Sequence, residues 1–233
     1  MKCISCNNVH EENYCPHCGE KKNVKRITFP SMFQYTLSSI VGMDKGFLFN
    51  VKSLFTNPKK IITNYILGKR KNILNPISFL IFSITIYLII EALLKVPVKK
   101  STITNVDKEG LEKIAYFGGR FIRIYFKYFW IFALIPLSFL TRILFQKYNY
   151  SEHLAINSFI LGQVTLIGIL THLFFRIPII ILDPFIYIAL ILYIYIIFKN
   201  KNDKMEVAIL SFLTIFLFIL IMMGIIFILG YLS

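Results

Sequence analysis

"PISFLIFSITIYLIIEALL", residues 76–94, is the stretch on which the reading of this chain turns. It carries one charged side chain, Glu91, and no polar stripe of the kind that marks a helix lying on a soluble core. At a rise of about 1.5 Å per residue, a helix of about 20 apolar residues crosses a hydrocarbon layer of about 30 Å. Asn75 is placed to cap it and Pro76 suits its first turn. The stretch therefore predicts a membrane span.

Four more apolar runs follow, at about 125–145, 154–175, 177–198 and 205–232, with Pro136 expected to kink the first of them. Composition agrees: 56% of the 233 residues are hydrophobic and the mean hydropathy is +0.66, against about 45–50% apolar for soluble domains. The 23 Phe and 13 Tyr suit bilayer interfaces, and the net charge of +14 suits anionic headgroups. The expected fold class is an all-α integral membrane protein with about five transmembrane helices. The expected parts are a zinc ribbon (1–20), basic amphipathic juxtamembrane helices (21–75) and a helix bundle (76–233).

Lys and Arg placement orients the bundle. With the N-terminus inside, 17 of the 26 fall in inner segments, among them Arg142, Lys147, Lys199, Lys201 and Lys204. Nine fall outside, eight of them in the loop from Lys95 to Lys127. Five spans then put the C-terminus outside. No apolar core follows Met1 to act as an export signal, and all four cysteines lie in the opening stretch, so a reducing compartment is expected there.

That opening stretch, "CISCNNVHEENYCPHCGEKK", sets Cys3 and Cys6 against Cys15 and Cys18. Each C-x2-C pair forms a turn that aims two thiolates at one point, and two such turns close a tetrahedron around Zn²⁺. Pro16 and Gly19 supply turn geometry, and His10 and His17 are expected to be bystanders. One structural Zn²⁺ per chain would supply the folding energy that so short a segment lacks.

Between ribbon and bundle, three apolar-faced helices are expected. The first carries Phe29, Met32, Phe33, Leu37, Ile40 and Val41, and the second Phe47, Leu48, Val51, Leu54 and Phe55. The third is capped by Asn57, begins at Pro58, buries Ile61, Ile62, Tyr65 and Ile66, and stops at Gly68. They read either as interfacial helices on an anionic leaflet or as a cap packed on the bundle. Lys69 and Arg70, at headgroup depth, are candidate headgroup contacts; anchoring of the first span by its positive flank is the favoured explanation.

Ionisable groups within spans are candidate functional sites. Glu91, His172, Arg176 and Asp183 fall at similar depth towards the outer side. The structural alternative has Asp183 capping a helix that starts at Pro184, with Glu91 and His172 paired inside the bundle. In the third span Asn157, Ser158, Gly162, Thr165, Gly168, Thr171 and His172 share one half of the helix, where small side chains admit a neighbour. "YSEHL" suggests Ser151 as cap and Glu152 in the first turn, where the dipole favours an acid. The fifth span, with only Ser211 and Thr214 as hydroxyls, reads as lipid-facing.

The ribbon, "DKGFLFNVKSLFTNPKKIITNYILGKRKNILNPISFL" and "NYSEHLAINSFILGQ" together resemble the bacterial membrane proteins of domain of unknown function 3667. The residues that carry the likeness are the four cysteines and Gly19, then Asp44, Gly46 and Phe47, then Pro58, Tyr65, Ile66, Gly68, Lys69, Arg70 and Pro76. The resemblance implies a multi-pass protein of the bacterial inner membrane. It supplies no activity.

No GxSxG, HExxH or phosphate-binding loop occurs, which favours a non-enzymatic protein with a cytosolic ribbon for docking or sensing. The alternative is a small transporter or lipid-handling protein built on the outer polar cluster, with a membrane enzyme ranked last. Expected partners are the anionic bilayer and a protein met through the ribbon. A homo-oligomer is left open, and the lack of aromatics among the basic residues argues against nucleic acid.

Overall fold

The computed structural model describes residues 1–22, 26–32, 43–94, 130–175, 183–200 and 203–232. Its helices are α1 (Met43–Thr56), α2 (Pro58–Ile66), α3 (Pro76–Leu94), α4 (Leu134–Phe145), α5 (Tyr150–Phe175), α6 (Pro184–Phe198) and α7 (Lys204–Leu232). Among the described residues there is no β-strand, only two isolated bridges near the N-terminus. The expected segment 33–41, the loop 95–127, the ends of two spans at 125–129 and 177–182, and Arg176 lie outside the described residues.

Three helices are long and apolar enough to cross a membrane: α3, α5 and α7. Over their described residues α4 and α6 are equally apolar but shorter, so five apolar helices stand where five spans were expected, and three reach spanning length. A turn at Ala133, three residues before Pro136, interrupts the apolar helix Trp130–Phe145 where a kink was expected, and α4 runs on from Leu134. Pro136 has no N–H to bond the Phe132 carbonyl one turn back.

The architecture is built around α5. Its spanning stretch is 83% buried, against 33% for α3 and 28% for α7. It packs on α3, α4 and α6, with α7 closing against α4 and α6. The stripe of small residues read from the sequence is what lets α3 approach. A Cβ on Gly162 would lie 2.7 Å from Cδ1 of Phe79 and 3.3 Å from the Leu80 Cα. Lipid chains are as apolar as leucine, so close packing of this kind holds helices together. α7 is not wholly lipid-facing: Ser211 and Thr214 are fully buried against the bundle, each bonded back to its own helix at 2.7 Å.

Helices α1 and α2 form a base under the spans. Pro58 stands at the start of α2 as expected, though Asn57 makes no side-chain cap bond. Gly68 ends the segment at φ 95°, a conformation that only glycine adopts without strain. Ile61, Ile62 and Tyr65 are buried against α1, α5 and α6, so α2 caps the bundle. α1 instead turns Leu48, Phe49 and Phe55 outward, the pattern of an interfacial helix. Asn50, fully buried, pairs with both backbone groups of Leu74 at 3.3 Å, and Phe47 meets Phe79 with ring centroids 5.4 Å apart. Asn75 caps α3 by accepting from the Ile77 amide at 3.0 Å, while its Nδ2 donates to the Met32 carbonyl at 3.1 Å.

Candidate metal centre and its seat on the bundle

The two C-x2-C turns are near copies. Lys2 bridges Val9 around the first, and Tyr14 bridges Lys21 around the second. In each turn, the residue four after the leading cysteine donates its amide back to that cysteine's carbonyl: Asn7 to Cys3 at 3.0 Å, Gly19 to Cys15 at 2.7 Å. Both residues take positive φ, 63° and 70°. Gly19 was legible in the sequence. Asn7 was not, although Asn is one of the few side chains that tolerates this region.

The four Sγ atoms of Cys3, Cys6, Cys15 and Cys18 all lie within 4.8 Å of one another. Cys3 and Cys18 are 3.5 Å apart, as are Cys6 and Cys15. A tetrahedral Zn²⁺ with Zn–S of about 2.3 Å requires S···S near 3.8 Å, so small adjustments seat the ion. His10 and His17 are not among the converging ligands.

Electrostatics fit a cation better than four thiols. Amide hydrogen bonds, led by that of Cys6, hold the Cys3 thiol below its ordinary value. Burial pushes the Cys15 thiol up, but the amides of Cys18 and His17 and the neighbouring thiols outweigh it and bring it down to about 6. The Glu20 amide favours the Cys18 thiolate, but burial and the three adjacent sulfurs push it up to about 12. Cys3 and Cys15 are thus favoured as thiolates, while Cys6 and Cys18 are disfavoured. A bound metal ion would supply the positive charge that lets all four ionise.

The ribbon rests on the base of the bundle. Glu20, 4% exposed, accepts from the Ser5 hydroxyl at 2.8 Å and from the Lys71 amide at 3.3 Å. It thereby ties both ribbon turns to the Gly68–Lys71 turn. Within that turn, Arg70 folds back: its Nε donates to the Tyr65 carbonyl at 3.2 Å and its guanidinium stands over the Tyr65 ring. Lys69 donates its amide to the Asn64 carbonyl at 2.9 Å.

A second tie follows. Arg26 makes a two-pronged ion pair with Glu152, 2.7 and 3.0 Å, and it is the one ion pair among the described residues. The carboxylate holds the Arg26 guanidinium even more firmly protonated than usual. Glu152 also accepts from the Asn149 amide at 2.8 Å, and Asn149 Oδ1 returns the bond to the Glu152 amide at 2.8 Å. This is a reciprocal capping box, and it corrects the expectation for α5: the cap is Asn149, and Ser151 lies inside the helix.

His153 is buried beside it, Nδ1 3.1 Å from Thr141 Oγ1, with its ring stacked on Phe198. Asn157 donates to Thr141 at 2.8 Å and to Ser138 at 3.2 Å. These contacts glue α4 to α5.

At the far end of the bundle, Asp183 caps α6 by accepting from the Phe185 amide at 2.9 Å, and its other oxygen accepts from Thr171. His172 is buried with its ring centroid 6.2 Å from that of Tyr87, and Glu91 lies one turn beyond Tyr87 on α3. Of the residues expected at this depth, Asp183 is taken up by a helix cap and Thr171, and Glu91 lies one turn from the residue that meets His172.

No curated protein and no solved structure matches the chain. Asp44 to Leu88, which folds as the base helices α1 and α2 and most of α3, matches the model of one family. Residues 44–88 match the model of the family described as Protein of unknown function (DUF3667), the one the sequence resembles.

Proposed function

We propose that this is a non-enzymatic, multi-pass protein of the bacterial inner membrane whose N-terminal ribbon holds one structural Zn²⁺ and serves as a docking or sensing platform at the cytoplasmic surface. The orientation, N-terminus inside and C-terminus outside, follows from the placement of Lys and Arg. The observation that carries the reading is the seating of the ribbon. Glu20 ties it to the segment that matches the family model, while Ile4, Val9 and Tyr14 keep apolar surface exposed. A module this small and this firmly placed presents a constant apolar face, which suits a protein neighbour in or on the same membrane.

The lipid-handling alternative draws on Glu91 and His172. It is the weaker reading, because the Asp183 carboxylate is taken up by a helix cap and Thr171.

Two variants test the platform. Deleting residues 1–20 should leave insertion of the spans intact while abolishing crosslinks to a membrane neighbour. The triple change Ile4→Ala, Val9→Ala and Tyr14→Ala should abolish the same crosslinks with zinc content unchanged. Crosslinks that survive in both, or a truncated protein that fails to insert, would overturn the reading.

A further inference from the structure

Lysines from three helix ends surround one cavity at the base of the bundle, on the side where the ribbon sits. The cavity, of about 340 Å³, is lined by Lys59 in the first turn of α2, Lys199 and Asn200 just beyond α6, and Lys204 at the start of α7. Lys59 is half-buried and donates from Nζ to the Lys199 carbonyl, at the C-terminal end of α6. That carbonyl end carries partial negative charge, which fixes the ammonium there. An ammonium has three N–H donors, and this bond uses one.

Three lysines and no carboxylate line the cavity itself. Burial, and then the charges of Lys147 and Lys199, make protonated Lys59 harder to sustain than an ordinary lysine. Lys147 and Lys199 hold their ammonium groups 5.3 Å from the ring centroids of Tyr148 and Tyr195, which position the charges without neutralising them. Asp203 and Glu206 line the adjoining cavity together with Lys147, and neither forms an ion pair with any of these lysines.

We infer that the cavity lined by Lys59, Lys199, Asn200 and Lys204 binds a phosphate group, carried by an anionic lipid headgroup or free in solution. Lysine recognises phosphate as a point charge, and several lysines around one cavity can share its oxygens. A volume near 340 Å³ sits at the small end of ligand sites, the size of a headgroup or small phosphate compound. Its place, where two apolar helices and one base helix all end, is headgroup depth. The site lies apart from Lys69 and Arg70, and it stands whether or not the ribbon docks a partner.

The test uses full-length protein in two arms. In the first, protein is extracted from phosphatidylcholine bilayers containing a minor share of phosphatidylglycerol, and retained lipid is identified by native mass spectrometry. In the second, inorganic phosphate is titrated onto protein in phosphatidylcholine nanodiscs and thermal stability is followed. Lys59→Gln and Lys204→Gln should each weaken binding about fivefold, the effect of one lysine near a phosphate surface. Lys52→Gln, which removes an exposed charge from α1 on the same side, should leave it unchanged. Selective retention of phosphatidylglycerol supports the site with a lipid source, and a response to inorganic phosphate supports it with a soluble one. Lys204 is exposed, so Lys204→Gln keeps the test decisive should Lys59→Gln misfold. No binding in either arm, or equal binding by Lys204→Gln and Lys52→Gln, would overturn the proposal.

Discussion

Gly162→Ala isolates what holds the two most intimately packed helices together. The added methyl would lie 2.7 and 2.8 Å from ring carbons of Phe79 and 3.3 Å from the Leu80 Cα. Phe79 is fully buried, its ring centroid 5.4 Å from that of Phe47 and 6.0 Å from that of Phe159, so it has little room to retreat. Overpacking of this kind costs about 1–3 kcal/mol. Alanine in place of a mid-helix glycine returns about 1 kcal/mol through helix propensity. The net expectation is a loss of about 1 kcal/mol, small but with a defined sign.

Two companions fix the interpretation. Gly224 in α7 has nothing within 4 Å of the corresponding position, so Gly224→Ala should show the propensity gain alone. In a Phe79→Ala background the ring is gone, and Gly162→Ala should become stabilising. The assay is the thermal unfolding midpoint in detergent micelles, read from helical content. If Gly162→Ala stabilises the wild-type protein as much as Gly224→Ala does, the close approach of α3 and α5 is not what the glycine is there for.

Purified protein should contain one zinc per chain by elemental analysis, and Cys15→Ser should lower that content sharply; near-zero metal, with the thiols cycling as disulfides, would refute it. Glu152→Ala should destabilise the protein more than Arg26→Ala, because Glu152 is buried and caps α5 while the Arg26 side chain is 69% exposed. Thermal unfolding in the opposite order would refute this and show that a buried, unpaired Glu152 carboxylate costs more than the lost cap. A reporter fused after Ser233 should be active only on the outer side, and activity confined to the cytosol would show the span count or the orientation to be wrong.

What could be read in advance follows a physical rule. Local chemistry was legible: the spacing of the cysteines, Pro58 and Gly68 bounding α2, and the caps at Asn75 and Asp183 each depend on neighbours within a few residues. The Asn149 cap was equally local, since Asn-x-x-Glu is a capping box, and it was missed because Ser151 offered a competing hydroxyl two residues on. The hydrophobic pattern gave the apolar helices but not which one lies at the centre. An all-apolar helix looks the same facing lipid or facing protein, and only the small and polar residues of α5 separated it from α7. The seat of the ribbon was out of reach altogether. Glu20 to Lys71, Arg26 to Glu152 and Lys59 to Lys199 join residues with no periodicity or spacing between them to mark the pair.

The Arg26–Glu152 pair also sets an order of events during synthesis. Its two residues are separated by 126 positions. At translation rates of about 5–20 residues per second, Arg26 leaves the ribosome roughly 6 to 25 seconds before Glu152 does. The ribbon, which needs only residues 3–18 for its metal ligands, can therefore be complete while its docking place on α5 does not yet exist. Lys71, much nearer in sequence, offers an early berth through Glu20. The newborn ribbon can thus meet its berth at Lys71 before Glu152 exists to receive Arg26.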